Sequence, residues 1–253
     1  MLYQPENDLL QDKHILVTGA SDGIGREAAL TYARFGAKLI LLGRDTVRLQ
    51  SVADEIQQVS GHAATWHTFD FSHATPESSQ KLVAQVAQQV PRLDGVLHNA
   101  GILGEIVPMS EIDPQVWRQV MQVNVDATFW LTQALLPLLL KSPQASLIFT
   151  TSSVGRVGRA GWGSYAVSKF ATEGMMQVLA DEYQGQSLRI NCINPGGTRT
   201  KMRASAFPDE NAQKLKTPAD LMPLYLWLMG KDSAAENGKS FDAQPGRKAG
   251  PAE

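Results

Sequence analysis

The amino-acid sequence predicts an α/β fold: one parallel sheet with helices on both faces. Three observations carry this. Short runs rich in Val, Ile and Leu alternate with longer runs of helical period along most of the chain. Such alternation builds βαβ units with right-handed crossovers. No internal repeat, low-complexity tract or linker interrupts it, so residues 1–253 are expected to form a single domain. With 253 residues, 43% of them hydrophobic, the chain is long enough to bury a sizeable core.

The elements follow in order. Residues 14–18, HILVT, read as the first strand. Residues 24–35 read as a helix with Ile24, Ala28, Ala29, Tyr32 and Phe35 on one face, and Gly36 is placed as its C-terminal cap. A strand at 38–42, a charged amphipathic helix at 47–59 and a strand at 65–69 come next. Pro76 suits the first position of a helix running to about residue 90, and 93–98 is the fourth strand. A long helical stretch spans about 114–140, with a bend expected near Pro137. Residues 146–151 are a strand, 163–183 a helix and 188–193 a sixth strand. The polar segment 198–217 is too long for an ordinary connection and is expected to form a lid. A last helix at 219–229 and a possible last strand at 240–243 precede a tail, 244–253, that reads as a loose end.

Composition excludes several functions. A formal net charge of -2 and five scattered Trp give no basic face for nucleic acid. The N-terminus has neither the basic nor the apolar region of a signal peptide. The leucine-rich stretch at 134–140 is far short of a membrane span and holds Pro137. A cytoplasmic protein is therefore expected. The single cysteine, Cys192, lies in an apolar run and reads as a buried structural thiol. The five His show no metal-ligand spacing, so no metal is expected.

The first strand runs straight into TGASDGIG, with Gly19, Gly23 and Gly25. A glycine turn between strand and helix lets the backbone approach a pyrophosphate, and the helix N-terminus offers free N–H groups and a positive dipole end. Three residues, Ala20, Ser21 and Asp22, separate Gly19 from Gly23. This resembles the TGxxxGxG of the short-chain dehydrogenase/reductase family. The resemblance continues through Asp70 near the end of the third strand, Asn99-Ala100-Gly101 after the fourth and Asn124 in MQVNV. It extends to Ser152 after the fifth strand, Tyr165-xxx-Lys169 in the next helix and Asn194-Pro195-Gly196 after the sixth.

The resemblance implies a Rossmann-type doubly wound sheet of about seven strands in the order 3-2-1-4-5-6-7. It implies a nicotinamide dinucleotide held by Gly19, Ser21, Asp22, Gly23, Ile24 and Gly25 of the turn, by Asp70 near the adenine, and by Asn99, Ala100 and Gly101. It adds Tyr165, Lys169, Pro195, Gly196, Thr198 and Thr200 at the nicotinamide end. The acid that binds the ribose 2′-OH in NAD enzymes of this kind is absent, because its position is Gly43. Arg44 follows, and a guanidinium suits a 2′-phosphate, so NADP(H) is favoured over NAD(H). Asp22 dissents mildly, since some NADP enzymes of the family have a basic residue there.

Tyr165 and Lys169 are four residues apart and share a helix face. A tyrosine is a poor base at neutral pH, and a nearby ammonium favours its phenolate. Thirteen residues before the tyrosine, where the family has its catalytic serine, stands Ser152; Ser153 is one place off register. By resemblance Tyr165 is the general acid and base, Ser152 donates to the substrate oxygen, and Asn124 belongs to a local break in the helix and a water-linked proton relay from Lys169. Arg156, Arg159 and Trp162 lie between Ser152 and Tyr165, and the arginines read either as contacts for an anionic substrate or as surface residues. Arg203 and Phe207 of the expected lid are further candidates.

The function implied is hydride transfer between nicotinamide and a small carbonyl or alcohol. A catalytically silent NADP(H)-binding redox sensor is the alternative. The extended epimerase branch is disfavoured by the glycine spacing and the short chain. A homodimer or homotetramer built on the helices around 114–140 and 163–183 is implied by resemblance alone.

Overall fold

The computed structural model describes residues 3–247 and 250–251. Seven strands form one parallel sheet. They are β1 (His14–Thr18), β2 (Lys38–Gly43), β3 (Thr65–Thr68), β4 (Gly95–His98), β5 (Ala145–Thr150), β6 (Leu188–Asn194) and β7 (Ser240–Asp242). Their spatial order is β3-β2-β1-β4-β5-β6-β7, as the resemblance implied.

The strands read as near-continuous apolar runs because both faces are covered. Successive side chains point to opposite faces. Ile15, Val17, Leu39 and Leu41 pack under α1 (Gly23–Arg34), α2 (Thr46–Ser60) and α8 (Met222–Met229). Leu16, Ile40, Leu42, Leu147 and Phe149 face α3 (Pro76–Gln89), α5 (Ala127–Leu139) and α6 (Gly163–Glu182). Cys192 lies in this second core, fully buried, with its thiol pKa pushed up by burial.

The chain lays β2 and β3 to one side of β1, then crosses back to place β4 on the other side. Between the carboxyl ends of β1 and β4 the order reverses, and such a switch point opens a crevice. The elements that end there carry nearly all the residues singled out above.

The structure corrects several boundaries. The stretch 114–140 is not one helix bent at Pro137. It is α4 (Pro114–Met121), a π-helical turn (Gln122–Asp126) and α5, and Pro137 lies within α5 without ending it. Pro137 stands two residues from the end of α5, where few further helical bonds depend on it. The interruption is at Asn124, whose side chain bonds outside the helix.

The segment 198–217 holds a short helix, α7 (Lys201–Ala206), and residues 219–221 form a 3-10 turn before α8. The tail is no loose end. The Gln244 amide donates to the carbonyls of Pro195 (2.9 Å) and Gly197 (3.0 Å), and the carbonyl of Gly250 accepts from Arg203 (2.6 Å). Positions 248, 249, 252 and 253 of the expected tail lie outside the described residues.

Candidate active site

The exit of β1 is fixed first. The Thr18 hydroxyl accepts hydrogen bonds from the N–H groups of Asn99 and Ala100, each 3.0 Å, which ties the end of β1 to the end of β4. Gly19 follows with φ +64, and a Cβ there would lie 3.0 Å from Ala100 Cα. At Gly25 a Cβ would collide with the Gly19 carbonyl and lie 2.6 Å from Asn99 Nδ2. Glycine is thus required where the turn doubles back against β4. Asp22 caps α1, its carboxylate accepting from the Gly23 N–H at 2.8 Å. The other N–H groups of the first turn have no intrahelical partner.

A cleft of about 300 Å³ opens from this turn. Gly19, Asp22, Gly23 and Ile24 line it on one side, and Asn99, Ala100 and Gly101 form its floor. Ser152, Tyr165 and Lys169 stand opposite, with Pro195, Gly196, Thr198 and Thr200 above. These fourteen residues, with Trp162, Asn194 and Arg203, were all named from the sequence and share one cleft.

Ser21, Gly25, Arg44, Asp70 and Asn124 lie around it. Gly25 supports the turn. Ser21 and Arg44 gather past the end of β2: a Cβ on Gly43 would lie 3.5 Å from Ser21 Oγ, and Arg44 is exposed. Asp70 stands two residues beyond β3 and caps a 3-10 turn. Its carboxylate accepts from the Ser72 N–H (2.9 Å) and hydroxyl (2.7 Å), which lowers its pKa.

The dissent of Asp22 is answered by its neighbours. Lys201 of α7 hydrogen-bonds its carboxylate and Arg48 of α2 approaches to 3.6 Å, so its pKa is lowered, first by the Lys201 bond. Arg48 and Lys201 were not legible beforehand. Each is a basic residue near a named one, but the pairing spans distant parts of the chain.

The chemical end is buried. Tyr165 and Ser152 line the cleft together. Burial pushes the tyrosine pKa up to about 12, and the Ser152 side chain opposes this. Burial also pulls the Lys169 pKa down to about 8; its ammonium donates to the Thr150 carbonyl at 2.8 Å and lies 5.5 Å from the Tyr165 ring centre. In the free protein, therefore, burial keeps Tyr165 protonated at neutral pH. Ser153, the serine one place off register, does not line this cleft.

Gly155 presses on Lys169: a Cβ there would lie 2.8 Å from the lysine backbone and Cβ. This glycine, missed in the sequence, lets the β5 exit dock on α6. The Asn124 amide donates to the Ile102 carbonyl (2.9 Å) and Ser168 hydroxyl (3.0 Å), and its oxygen accepts from the Ile102 N–H (2.8 Å). Trp162 packs on Tyr165 (5.9 Å) and on Phe207 (5.8 Å), which brings the segment 198–217 beside the cleft.

Residues 13–211 match the family model for short chain dehydrogenases. This chain belongs to the short-chain dehydrogenase family. It is an oxidoreductase by that membership. It is 68% identical over 250 residues to oxidoreductase YciK of Escherichia coli K12, covering 99% of each chain. A short chain dehydrogenase of Escherichia coli CFT073 complexed with NADPH superposes with TM-score 0.94 at 68% identity, covering 95% of this chain and all of that one. One from Shigella flexneri 2a complexed with NADP gives 0.94 at 67%, with the same coverage. Among the described residues no helix is long and apolar enough to cross a membrane, and no group of three or more His, Cys, Asp or Glu could hold a metal ion.

Proposed function

We propose that this oxidoreductase transfers a hydride between NADP(H) and a carbonyl or alcohol, with Tyr165 as general acid and base. The observation that carries it is the juxtaposition, in one cleft, of the glycine turn with Ser152 and a buried Tyr165 backed by Lys169. The residues present suit a dinucleotide. Glycines bring backbone, not side chains, to the turn, and the first N–H groups of α1 are left for a pyrophosphate. Arg44 and Arg48, with no acid at Gly43, suit a 2′-phosphate. The NADP and NADPH complexes of the close relatives support the same cofactor.

NADPH, when bound, supplies the hydride. The protein supplies position and the proton. Tyr165, with a pKa near 12, is a phenol at neutral pH and donates to the substrate oxygen in the reducing direction. Ser152 donates to the same oxygen and stabilises the alkoxide as it develops. Lys169 stays mostly charged below about pH 8 and favours the phenolate left behind. Both amide donors of Asn124 are committed to Ile102 and Ser168. A role in proton relay therefore falls to its peptide carbonyl, in the π-helical turn, while its side chain fixes the loop under Gly101.

The test is NADPH oxidation over a panel of carbonyl compounds, repeated with Tyr165→Phe. Turnover that vanishes in the variant while NADPH still binds supports the assignment. NADPH binding with no turnover of any carbonyl or alcohol favours a redox-sensing binder. The enzyme also forms a homo-oligomer through α5 and α6, where Phe129, Phe170 and Val178 are exposed. A monomer mass in sedimentation at micromolar concentration overturns that.

A further inference from the structure

Beside the cleft lies a second hollow of about 380 Å³, and Ser152, Trp162 and Arg203 line both. Among the described residues its wall carries four arginines, Arg156, Arg159, Arg203 and Arg247, and one carboxylate, Asp242. Two of the arginines are committed to the protein. Arg156 pairs with Asp242 and, at 4.0 Å, with Glu173. Arg203 makes two 2.6 Å bonds to Glu210.

The other two keep donors to spare. Arg247 reaches Glu210 only at 3.7 Å, and its Nη2 is buried without a hydrogen bond. Its guanidinium rests on the backbone of Gly197, where a Cβ would collide with Nη2 and lie 2.6 Å from Nε. Arg159 has no acidic partner among the described residues. Among the described residues the wall of the hollow thus holds four guanidiniums to one carboxylate. A buried N–H without an acceptor is costly, and an incoming anion supplies that acceptor.

We propose that this hollow is the substrate's anion site, and that the enzyme acts on carbonyl compounds bearing a carboxylate. The inference rests on the reductase reading above. The C=O lies against Ser152 and Tyr165, and the carboxylate against Arg159 and Arg247. The planar fork of a guanidinium suits a carboxylate, which it can hold by two parallel bonds. The carboxylate undergoes no bond change. The C=O gains a hydride from NADPH and a proton from Tyr165, and the products are a hydroxy acid and NADP⁺.

The test has two arms. Calorimetry on NADP-loaded protein compares straight-chain carboxylates from butyrate to octanoate with their methyl esters. Kinetics compares kcat/KM for oxo acids and their methyl esters. The acids are expected to bind and react at least roughly tenfold better, as for one charge-assisted contact. Arg159→Met and Arg247→Met abolish the difference mainly through KM. Gly197→Ala, which retains both arginines but unseats Arg247, reproduces the Arg247→Met loss and covers the case in which that variant fails to fold. Equal binding of acids and esters, or variants that weaken both alike, overturns the anion site while leaving the reductase intact. Failure to bind NADP at all overturns the reductase reading beneath it.

Discussion

The glycine turn after β1 and the arginine hollow beside β7 meet the same cleft but are built by opposite means. The turn is backbone laid on backbone: Gly25 against the Gly19 carbonyl, Gly19 against Ala100. The hollow is made of long side chains that reach across the chain, Arg203 to Gly250, Arg247 to Glu210 and Gln244 to Pro195. A backbone approach leaves a fixed glycine in the sequence. A long-range ion pair leaves only two charged residues far apart.

Five substitutions and one titration sharpen this contrast. The largest effect is expected at the chemical centre. Tyr165→Phe lowers kcat by roughly a hundredfold or more, while NADPH affinity, read by nicotinamide fluorescence, holds within a few-fold. Gly25→Ala comes next. Its methyl meets backbone that cannot yield, so about 1–3 kcal/mol of stability is lost by thermal unfolding and NADPH binding weakens with it. Arg44→Ala follows, weakening NADPH roughly tenfold and NADH much less, and Arg48→Ala does the same to a smaller degree. Equal losses for both cofactors mean that neither arginine reads the 2′-phosphate.

The titration concerns Lys169. Burial depresses its pKa to about 8, so its charge is present below that pH and lost above it. Tyr165, near 12, remains protonated throughout. kcat/KM for NADPH at saturating carbonyl, which reports free-enzyme groups, is full near neutrality and falls as pH rises through about 8. A profile flat well beyond that value removes Lys169 from the mechanism. The smallest effect belongs to the tail. Gln244→Ala removes two bonds to backbone carbonyls, costs about 1 kcal/mol in thermal stability and opens the tail to limited proteolysis.

Legibility followed the same division. Strand alternation indicated the parallel sheet, and the resemblance gave its order, because buried parallel strands must be apolar on both faces. The thirteen-residue spacing from Tyr165 pointed to Ser152 over Ser153, and of the two only Ser152 lines the cleft. Strand ends moved by a residue or two. The fourth strand opens at Gly95, although the Asp94 N–H already bonds the His14 carbonyl at 2.8 Å. The resemblance implied the break at Asn124, where the π-helical turn lies, yet Pro137 drew the expected bend to the wrong place. The partners that hold the site were illegible. Thr150 serves through its carbonyl, Ser168 through a hydroxyl on the buried side of α6, and Gly155 by lacking a side chain. Lys201 and Arg48 meet Asp22 only once α7 and α2 are folded around the turn.

The first measurement to make is a fluorescence titration of the purified protein with NADPH and with NADH, for wild type and Arg44→Ala. An NADP-dependent enzyme built as described binds NADPH at least roughly tenfold more tightly than NADH and loses most of that margin in the variant. Binding of neither nucleotide, or equal affinity for both that Arg44→Ala leaves unchanged, contradicts the assignment of the cleft and of the basic residues beyond β2.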